Sequence, residues 1–195
     1  MKSLIIVSNR LPVKVIKKDG EMEFRKTAGG LATAVESFYK LYNSYWIGWP
    51  GLEDVKGLDK EIITKKLAKD NFIPVFINKN NFDDYYYGFS NKVLWPLFHY
   101  FPTYSVIDRD YWRAYRNVNK NFADAVIQNA DNDSVIWIHD YHLMLLPQMI
   151  KKKLPGAKIG FFLHIPFPSS EAVSYTHLRA HETVLDLVCR LLLEK

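Results

Sequence analysis

Residues 135–142 read Val-Ile-Trp-Ile-His-Asp-Tyr-His, four residues of strand character that run directly into two imidazoles, a carboxylate and a phenol. A second apolar run, Ile-Gly-Phe-Phe-Leu at residues 159–163, is followed in the same way by His164. Buried strands of open α/β sheets end at the crevice in which ligands bind. Two strands that deliver polar side chains at their ends therefore predict a binding site at one edge of a sheet.

Strand and helix patterns alternate along the rest of the chain. Further strands are predicted at residues 4–7, 45–48 and 73–77, with a hairpin tip at Asp19-Gly20. Helices are predicted at about residues 31–42, 58–69, 81–100 with a break at Pro96, 108–129 and 143–153. In the longest helix one face carries Tyr115, Val118, Phe122 and Ala125. This alternation predicts an α/β fold, a parallel sheet with flanking helices on both faces.

Composition narrows the class of protein. The 195 residues suffice for one domain, and 48% hydrophobic with 24% charged residues is typical of soluble globular proteins. The lone Cys189 fits a reducing compartment, and the apolar start of the chain is too short for a signal peptide or a membrane span, so we expect a cytoplasmic protein without membrane contact. The net charge of +5 includes no concentrated basic patch, which argues against nucleic acid and suits a phosphorylated substrate.

Three other motifs are ambiguous when taken singly. Arg10 follows the first strand, where its planar guanidinium could bind a phosphate or form an ordinary surface ion pair. Gly29-Gly30 at a predicted helix start could bring backbone N–H groups against a phosphate, or simply begin the helix. Trp49 lies in a Pro/Gly turn that predicts an exposed ring, and the aromatic run at residues 85–96 is more typical of a core than of a site.

Two common kinds of catalytic site are not expected. His139 and His142 stand at a strand end without an evident third ligand, so we predict no metal site. The sequence also lacks the G-x-S-x-G elbow of the Ser-His-Asp hydrolases.

In their order and spacing, the motifs together resemble signatures of the retaining glycosyltransferases of family 20, which make trehalose 6-phosphate. The resemblance covers about residues 3–171. The matching segments are Ser8-Asn9-Arg10, Ala28-Gly29-Gly30-Leu31, Phe89-Ser90-Asn91 with Leu94-Trp95-Pro96, residues 137–142 and residues 162–168.

The resemblance implies the N-terminal, Rossmann-like domain of a GT-B glycosyltransferase, an enzyme with its active site between two such domains. The parent enzyme would transfer glucose from UDP-glucose to glucose 6-phosphate with retention, giving trehalose 6-phosphate and UDP. No cofactor is implied beyond the UDP-glucose donor, and no nucleophile is assigned. The full-length enzyme could form a homo-oligomer.

The resemblance also assigns site residues by motif position. The acceptor sugar phosphate would be bound by Arg10, Trp49, Tyr86, Trp95 and Asp140. On the donor side, Gly30 would place its backbone N–H against the diphosphate and His164 would contact the glucose.

We therefore expect an acceptor-side domain at residues 1–171 and a non-family tail at residues 172–195. That tail resembles a translated sequencing-adapter read-through, and its His177, His181 and Cys189 are given no role. A phosphatase domain fused downstream stays open.

Two alternatives to the trehalose-phosphate activity also stay open. One is a non-catalytic relative that senses sugar phosphates, although the presence of Arg10, Gly30, Asp140 and His164 argues against it. The other is a related transferase such as a glucosylglycerol-phosphate synthase, whose acceptor is glycerol 3-phosphate.

The first testable prediction concerns the isolated chain. Because the resemblance implies a second domain that carries most donor contacts, the 195-residue chain alone should release no UDP from UDP-glucose in the presence of glucose 6-phosphate. A coupled assay of UDP release measures this, and sustained turnover by the isolated chain would contradict the expectation.

Overall fold

A parallel sheet of five strands, ordered β5-β4-β1-β6-β7, carries the fold. In this computed structural model, residues 3–27 and 44–168 are described. The strands of the sheet are β1 Leu4–Arg10, β4 Ser44–Trp49, β5 Phe72–Pro74, β6 Val135–His139 and β7 Lys158–Phe162. A separate antiparallel hairpin consists of β2 Val13–Lys18 and β3 Glu21–Lys26.

The central strand β1 is buried on both faces, which explains its continuous apolar run. Ile5 and Val7 pack into a large core with the strands and helices on one face of the sheet. Ile6 points the other way and packs with Trp46, Ile63 and neighbouring side chains in a smaller core. Alternate residues of one strand thus enter two cores, as expected for a sheet covered on both sides.

The hairpin turn at Asp19-Gly20 is confirmed. Both residues have positive φ angles, 51° and 85°, and Lys18 pairs with Glu21 across the turn. Two successive positive φ angles are typical of the type I′ turn, whose twist matches that of the strands it joins.

Three of the predicted helices lie within the described residues in recognisable form. They are α1 Gly57–Ala68, α4 Arg109–Asn129 and α5 Leu146–Lys151. In α4 the predicted face is confirmed for Tyr115, Val118 and Phe122, which are fully buried, whereas Ala125 is only partly buried. The helix predicted at residues 143–153 is shorter, because a 3₁₀ turn at Tyr141–Leu143 precedes it. The helix predicted at residues 31–42 lies outside the described residues.

The predicted break at Pro96 is wrong. The chain is helical from Lys79 to Phe98, as α2 Lys79–Phe82, a π-helix Asp83–Leu94 and α3 Trp95–Phe98. Proline lacks the N–H that would bond a carbonyl of the preceding turn. The Lys92 carbonyl, four residues earlier, instead accepts a hydrogen bond of 2.9 Å from the Val106 N–H, so the segment is satisfied without a break.

The strand predicted at residues 73–77 is shorter than expected. β5 is an edge strand of three residues that pairs with β4 alone. Its last link to β4 beyond Pro74 is a hydrogen bond of 2.9 Å from the Val75 N–H to the Gly48 carbonyl. None of the described helices combines the length and the apolar character needed to cross a bilayer.

A glycine substitution tests how tightly β1 and β4 approach. A Cβ on Gly48 would lie 2.8 Å from the Leu11 nitrogen and 2.9 Å from the Arg10 carbonyl carbon, both backbone atoms that cannot rotate away. We expect Gly48→Ala to lower the free energy of unfolding by about 1–3 kcal/mol, the usual cost of overpacking. Urea unfolding followed by tryptophan fluorescence measures this.

The matched control is Gly160→Ala in β7. A Cβ there would meet only Trp137 Cδ1 at 3.7 Å, an ordinary contact. Its stability should be unchanged or raised by up to about 1 kcal/mol. Equal effects of the two substitutions would refute the close approach at Gly48.

Candidate functional site

The topology places a crevice beside β1. The chain adds β4 and β5 on one side of β1 and then returns to add β6 and β7 on the other. Open α/β sheets bind ligands at such a switch point, outside the carboxyl ends of the strands. Arg10, Trp49 and His139 are the last residues of β1, β4 and β6, so the predicted site edge is the switch point.

Arg10 lies between two aromatic rings. Its guanidinium carbon is 4.7 Å from the centre of the Trp49 ring and 5.5 Å from that of Tyr86. Cations over aromatic faces are stabilised by the ring quadrupole. Within the part of the chain that the structure describes, no carboxylate forms an ion pair with Arg10, so the alternative of an ordinary surface ion pair finds no support there.

An irregular end of β1 directs Arg10 to this position. The pairing of β1 with β4 shifts register between Val7 and Arg10. Ser8 Oγ donates to the Arg10 carbonyl at 2.7 Å and accepts from Trp46 Nε1 at 2.8 Å. Asn9 Oδ1 accepts from the buried Tyr85 hydroxyl at 2.9 Å. These bonds fix the backbone where the register of β1 against β4 shifts.

A continuous series of ring contacts links the predicted acceptor residues. The centres of successive rings lie 4.0–5.9 Å apart in the order Trp49, Phe82, Tyr86, His142, Tyr141 and Trp95. The prediction of an exposed Trp49 ring is wrong: it is 3% exposed, because Phe82 stacks on it and Nε1 donates to the Leu52 carbonyl. Trp95, at the other end of the series, is 43% exposed.

The π-helix is what brings Tyr86 and Trp95 to the same side. These residues are nine positions apart, about two and a half turns of an α-helix, which would place them on opposite faces. A π-helix bonds i to i+5 and holds more than four residues in a turn, so nine residues complete about two turns. Asn91, between them, accepts a hydrogen bond of 3.3 Å from the Tyr141 hydroxyl, and all three therefore face the turn after β6.

Asp140 has a strained backbone, and only one of its two carboxylate oxygens accepts hydrogen bonds from the described residues. Its φ of 76° and ψ of 163° fall in a region populated almost solely by glycine, at a cost of about 1–3 kcal/mol. Oδ1 accepts from the backbone N–H groups of Tyr141 at 3.0 Å and His164 at 3.3 Å. Oδ2 faces His142 Nδ1 at 3.7 Å, beyond hydrogen-bond distance.

The charge of Asp140 follows from these contacts. Burial acts to raise its pKa, but the His142 ring and the backbone N–H groups of Tyr141 and His164 outweigh burial. The net pKa lies below the ordinary carboxyl value, so Asp140 is ionised at neutral pH and accepts hydrogen bonds only.

Helix α4 holds the turn after β6 through two polar side chains on its buried face. The Tyr115 hydroxyl donates to the Tyr141 carbonyl at 2.7 Å and accepts from the Met144 N–H at 3.2 Å. The Asn119 amide donates to the His142 carbonyl at 3.1 Å, and its oxygen accepts from the N–H of Leu145 at 3.3 Å. Polar groups on the apolar face of a long helix were the signal for this role.

His139 and His164 meet across the ends of β6 and β7. Nδ1 of His139 is 3.1 Å from Nε2 of His164. Burial is the main reason that the pKa of His139 is lowered from 6.5 to about 4; the neighbouring His164 lowers it further, and Asp140 opposes the shift. Among the described residues, no group of three or more His, Cys, Asp or Glu side chains could hold a metal ion.

Most of the predicted site residues are thus connected. Cation–π, stacking and hydrogen-bond contacts join Arg10, Trp49, Tyr86, Trp95, Asp140 and His164. Gly30 lies outside the described residues. The structure adds five supporting residues to which the sequence assigns no individual role: Asn9, Tyr85, Asn91, Tyr115 and Asn119.

The histidine pair predicts a pH dependence of stability. A native imidazole pKa of about 4, below the unfolded value of 6.5, means that the unfolded chain binds the proton more tightly. The stability present above pH 6.5 should therefore fall as the pH decreases from 6.5 towards 4. Urea unfolding across this range measures the slope, and His139→Phe should flatten it. An equal slope in both proteins would contradict the shifted pKa.

Comparison with known proteins identifies relatives of the chain. The chain is 49% identical over 177 residues to the alpha,alpha-trehalose-phosphate synthase [UDP-forming] 56 kDa subunit of Kluyveromyces lactis, an alignment that covers 87% of the chain and 36% of that protein. It superposes, with a TM-score of 0.70 and 29% identity, on an alpha,alpha-trehalose-phosphate synthase (UDP-forming) from Burkholderia xenovorans in complex with glucose-6-phosphate, covering 97% of the chain and 38% of that structure.

An E. coli structure described as trehalose-6-phosphate bound with UDP-2-fluoro glucose gives a TM-score of 0.73 at 32% identity, over 96% of the chain and 38% of that structure. The chain thus spans little more than a third of the length of these relatives. The predicted α/β class, a Rossmann-like parallel sheet as in the N-terminal domain of GT-B glycosyltransferases, is confirmed. Residues 2–191 match glycosyltransferase family 20, and the chain belongs to that family.

Proposed function

We propose that this chain is the acceptor-binding part of an enzyme that transfers glucose from UDP-glucose to glucose 6-phosphate with retention, forming trehalose 6-phosphate and UDP. The observation that carries the proposal is the Arg10 guanidinium, held between Trp49 and Tyr86 at the sheet edge where Asp140 lies. The relatives' names support trehalose-phosphate synthesis.

Arg10 is suited to the phosphate of the acceptor. Its guanidinium carbon lies 4.7 Å from the centre of the Trp49 ring and 5.5 Å from that of Tyr86, and no carboxylate among the described residues forms an ion pair with it. A planar guanidinium binds phosphate oxygens through paired, charge-assisted hydrogen bonds.

Asp140 is suited to the sugar of the acceptor. Its Oδ2 has no hydrogen bond to the described residues, and an ionised carboxylate accepts from sugar hydroxyls. Trp95, directly after the π-helix, is 43% exposed and offers a flat ring to the apolar face of a pyranose, whereas the ring of Tyr86 is stacked on Phe82 and His142.

The proposed donor contacts rest on the family resemblance more than on the geometry of the site. His164 is exposed at the end of β7 and would contact the donor glucose. Gly30 would place its N–H against the diphosphate. A UDP-2-fluoro glucose complex is recorded for the E. coli relative, which supports a UDP-sugar donor.

We infer a displacement on one face of the donor sugar. The bond between the anomeric carbon and the UDP oxygen breaks while the acceptor's anomeric hydroxyl oxygen bonds to that carbon. The hydroxyl proton passes to the departing phosphate oxygen, so no protein nucleophile is needed. The donors around the diphosphate stabilise the charge that develops on it.

Other features of the parent enzyme stay predictions. They are a cytoplasmic location, a homo-oligomeric state and the non-family nature of residues 172–195, a segment that lies outside the described residues although the family match extends to residue 191. A sugar-phosphate sensor without transferase activity would bind the acceptor but release no UDP from the full-length protein.

Substitution of Arg10 tests the acceptor site. Removing a charge-assisted hydrogen-bond donor costs about 1.5–3 kcal/mol, so Arg10→Ala should weaken glucose 6-phosphate binding roughly 10- to 150-fold. Glucose, which lacks the phosphate, should bind both proteins equally. Calorimetric titration of the 195-residue chain measures the affinity, and the acceptor KM of the full-length enzyme should rise in parallel.

Arg25→Ala is the matched control. Arg25 is an exposed hairpin arginine paired with Glu23 at 2.7 Å, and its removal should leave acceptor binding unchanged. If Arg10→Ala binds glucose 6-phosphate with unchanged affinity, Arg10 does not bind the phosphate.

A further inference from the structure

The contact between His139 and His164 constrains where the protons lie. The two rings are 5.4 Å apart between centres, and the joining distance of 3.1 Å runs from His139 Nδ1 to His164 Nε2. A neutral imidazole carries one N–H and one bare nitrogen, so a hydrogen bond between two neutral rings needs one of each. One ring must donate and the other must accept.

The surroundings of His139 decide which ring donates. His139 is 1% exposed, and its Nε2 is buried and has no hydrogen-bond partner among the residues that the structure describes. A proton on that nitrogen would be a buried, unpaired N–H, which is the least tolerated kind of unsatisfied group. The proton of His139 therefore lies on Nδ1, and His139 donates to His164.

This assignment fixes the proton of His164 as well. Because Nε2 of His164 accepts, its single proton lies on Nδ1. The backbone N–H of His164 donates to Asp140 Oδ1 at 3.3 Å, which holds the residue in place, and the side chain is exposed at the site edge. Within residues 3–27 and 44–168, Nδ1 of His164 makes no hydrogen bond.

We propose that His139 is a positioning residue that sets the tautomer of His164, so that the Nδ1–H of His164 donates to an oxygen of the donor sugar. The tautomer follows from this chain's own contacts. The identity of the ligand rests on the proposed function. Orientation of one histidine by a hydrogen bond to its other nitrogen is a general device for fixing which nitrogen faces a ligand.

The first experiment observes the tautomers directly. Two-bond ¹⁵N–¹H correlation spectra of the 195-residue chain with ¹⁵N-labelled histidine, at neutral pH and without ligand, should show Nδ1–H forms of both His139 and His164. In His139→Phe, which keeps a buried ring but has no nitrogen, His164 should shift towards the Nε2–H form favoured by an unconstrained histidine. In His139→Asn, whose side-chain amide N–H can replace Nδ1–H, the Nδ1–H form of His164 should persist.

The second experiment measures the consequence for the donor. In the full-length enzyme, loss of one neutral hydrogen bond in His139→Phe should raise the KM for UDP-glucose about threefold to tenfold, with the KM for glucose 6-phosphate unchanged. His139→Asn should restore the donor KM. A purely structural role would instead lower the melting temperature of both variants and affect both substrates.

The outcomes separate this inference from the proposed function. An Nε2–H form of His164 in the unsubstituted chain, or an unaltered His164 tautomer in a folded His139→Phe, would overturn the inference. If His139→Phe does not fold, the spectra of the unsubstituted chain and of His139→Asn decide. If the full-length enzyme binds no UDP-glucose, the proposed function is wrong. The tautomer of His164 is decided by the spectra alone.

Discussion

The register shift near the end of β1 is the constraint on which the site depends. Up to Val7 the strand is paired with both β4 and β6, and three residues later, after the shift, Arg10 is paired with Trp49 of β4 alone. The intervening backbone is held by polar side chains from two different elements, Trp46 of β4 and Tyr85 of the π-helix. Gly48 permits this close backbone approach, since a Cβ there would lie 2.8 Å from the Leu11 nitrogen, and the Arg10 guanidinium then lies near Trp49 and Tyr86.

The π-helix transmits the same constraint to the far side of the site. Its wide turn keeps Tyr86 against His142 and Trp95 against Tyr141. Gly88 lets Tyr111 of α4 pack closely against this helix, since a Cβ there would lie 2.6 Å from the Tyr111 ring. The polar groups of α4 then hold the turn after β6 from below, so the rings and the carboxylate of Asp140 belong to one hydrogen-bonded and stacked unit.

The sequence predicted the features that depend on local pattern. The described strands, the Asp19-Gly20 turn and the buried face of α4 follow from apolar periodicity and turn chemistry, which operate over a few residues. The family resemblance located Arg10, Asp140 and His164. Features that depend on distant partners could not be predicted in this way.

Three residues show why distant partners limit prediction from the sequence. Trp49 is buried because Phe82, far along the chain, stacks on it. Pro96 lies in the first turn of α3, where a proline is tolerated, and the distant Val106 N–H bonds the Lys92 carbonyl. Asn119 is a polar residue on the apolar face of its helix, but its partners in the turn after β6 are distant in the sequence.

The backbone of Asp140 has a consequence for how this position tolerates change. Its φ of 76° and ψ of 163° would suit glycine better than any residue with a side chain. Glycine at position 140 would relieve the backbone strain, but it would also leave the N–H groups of Tyr141 and His164 without their acceptor and remove the carboxylate from the site. Residue 140 is thus a place where the backbone favours the one residue type that lacks the side chain its neighbours need.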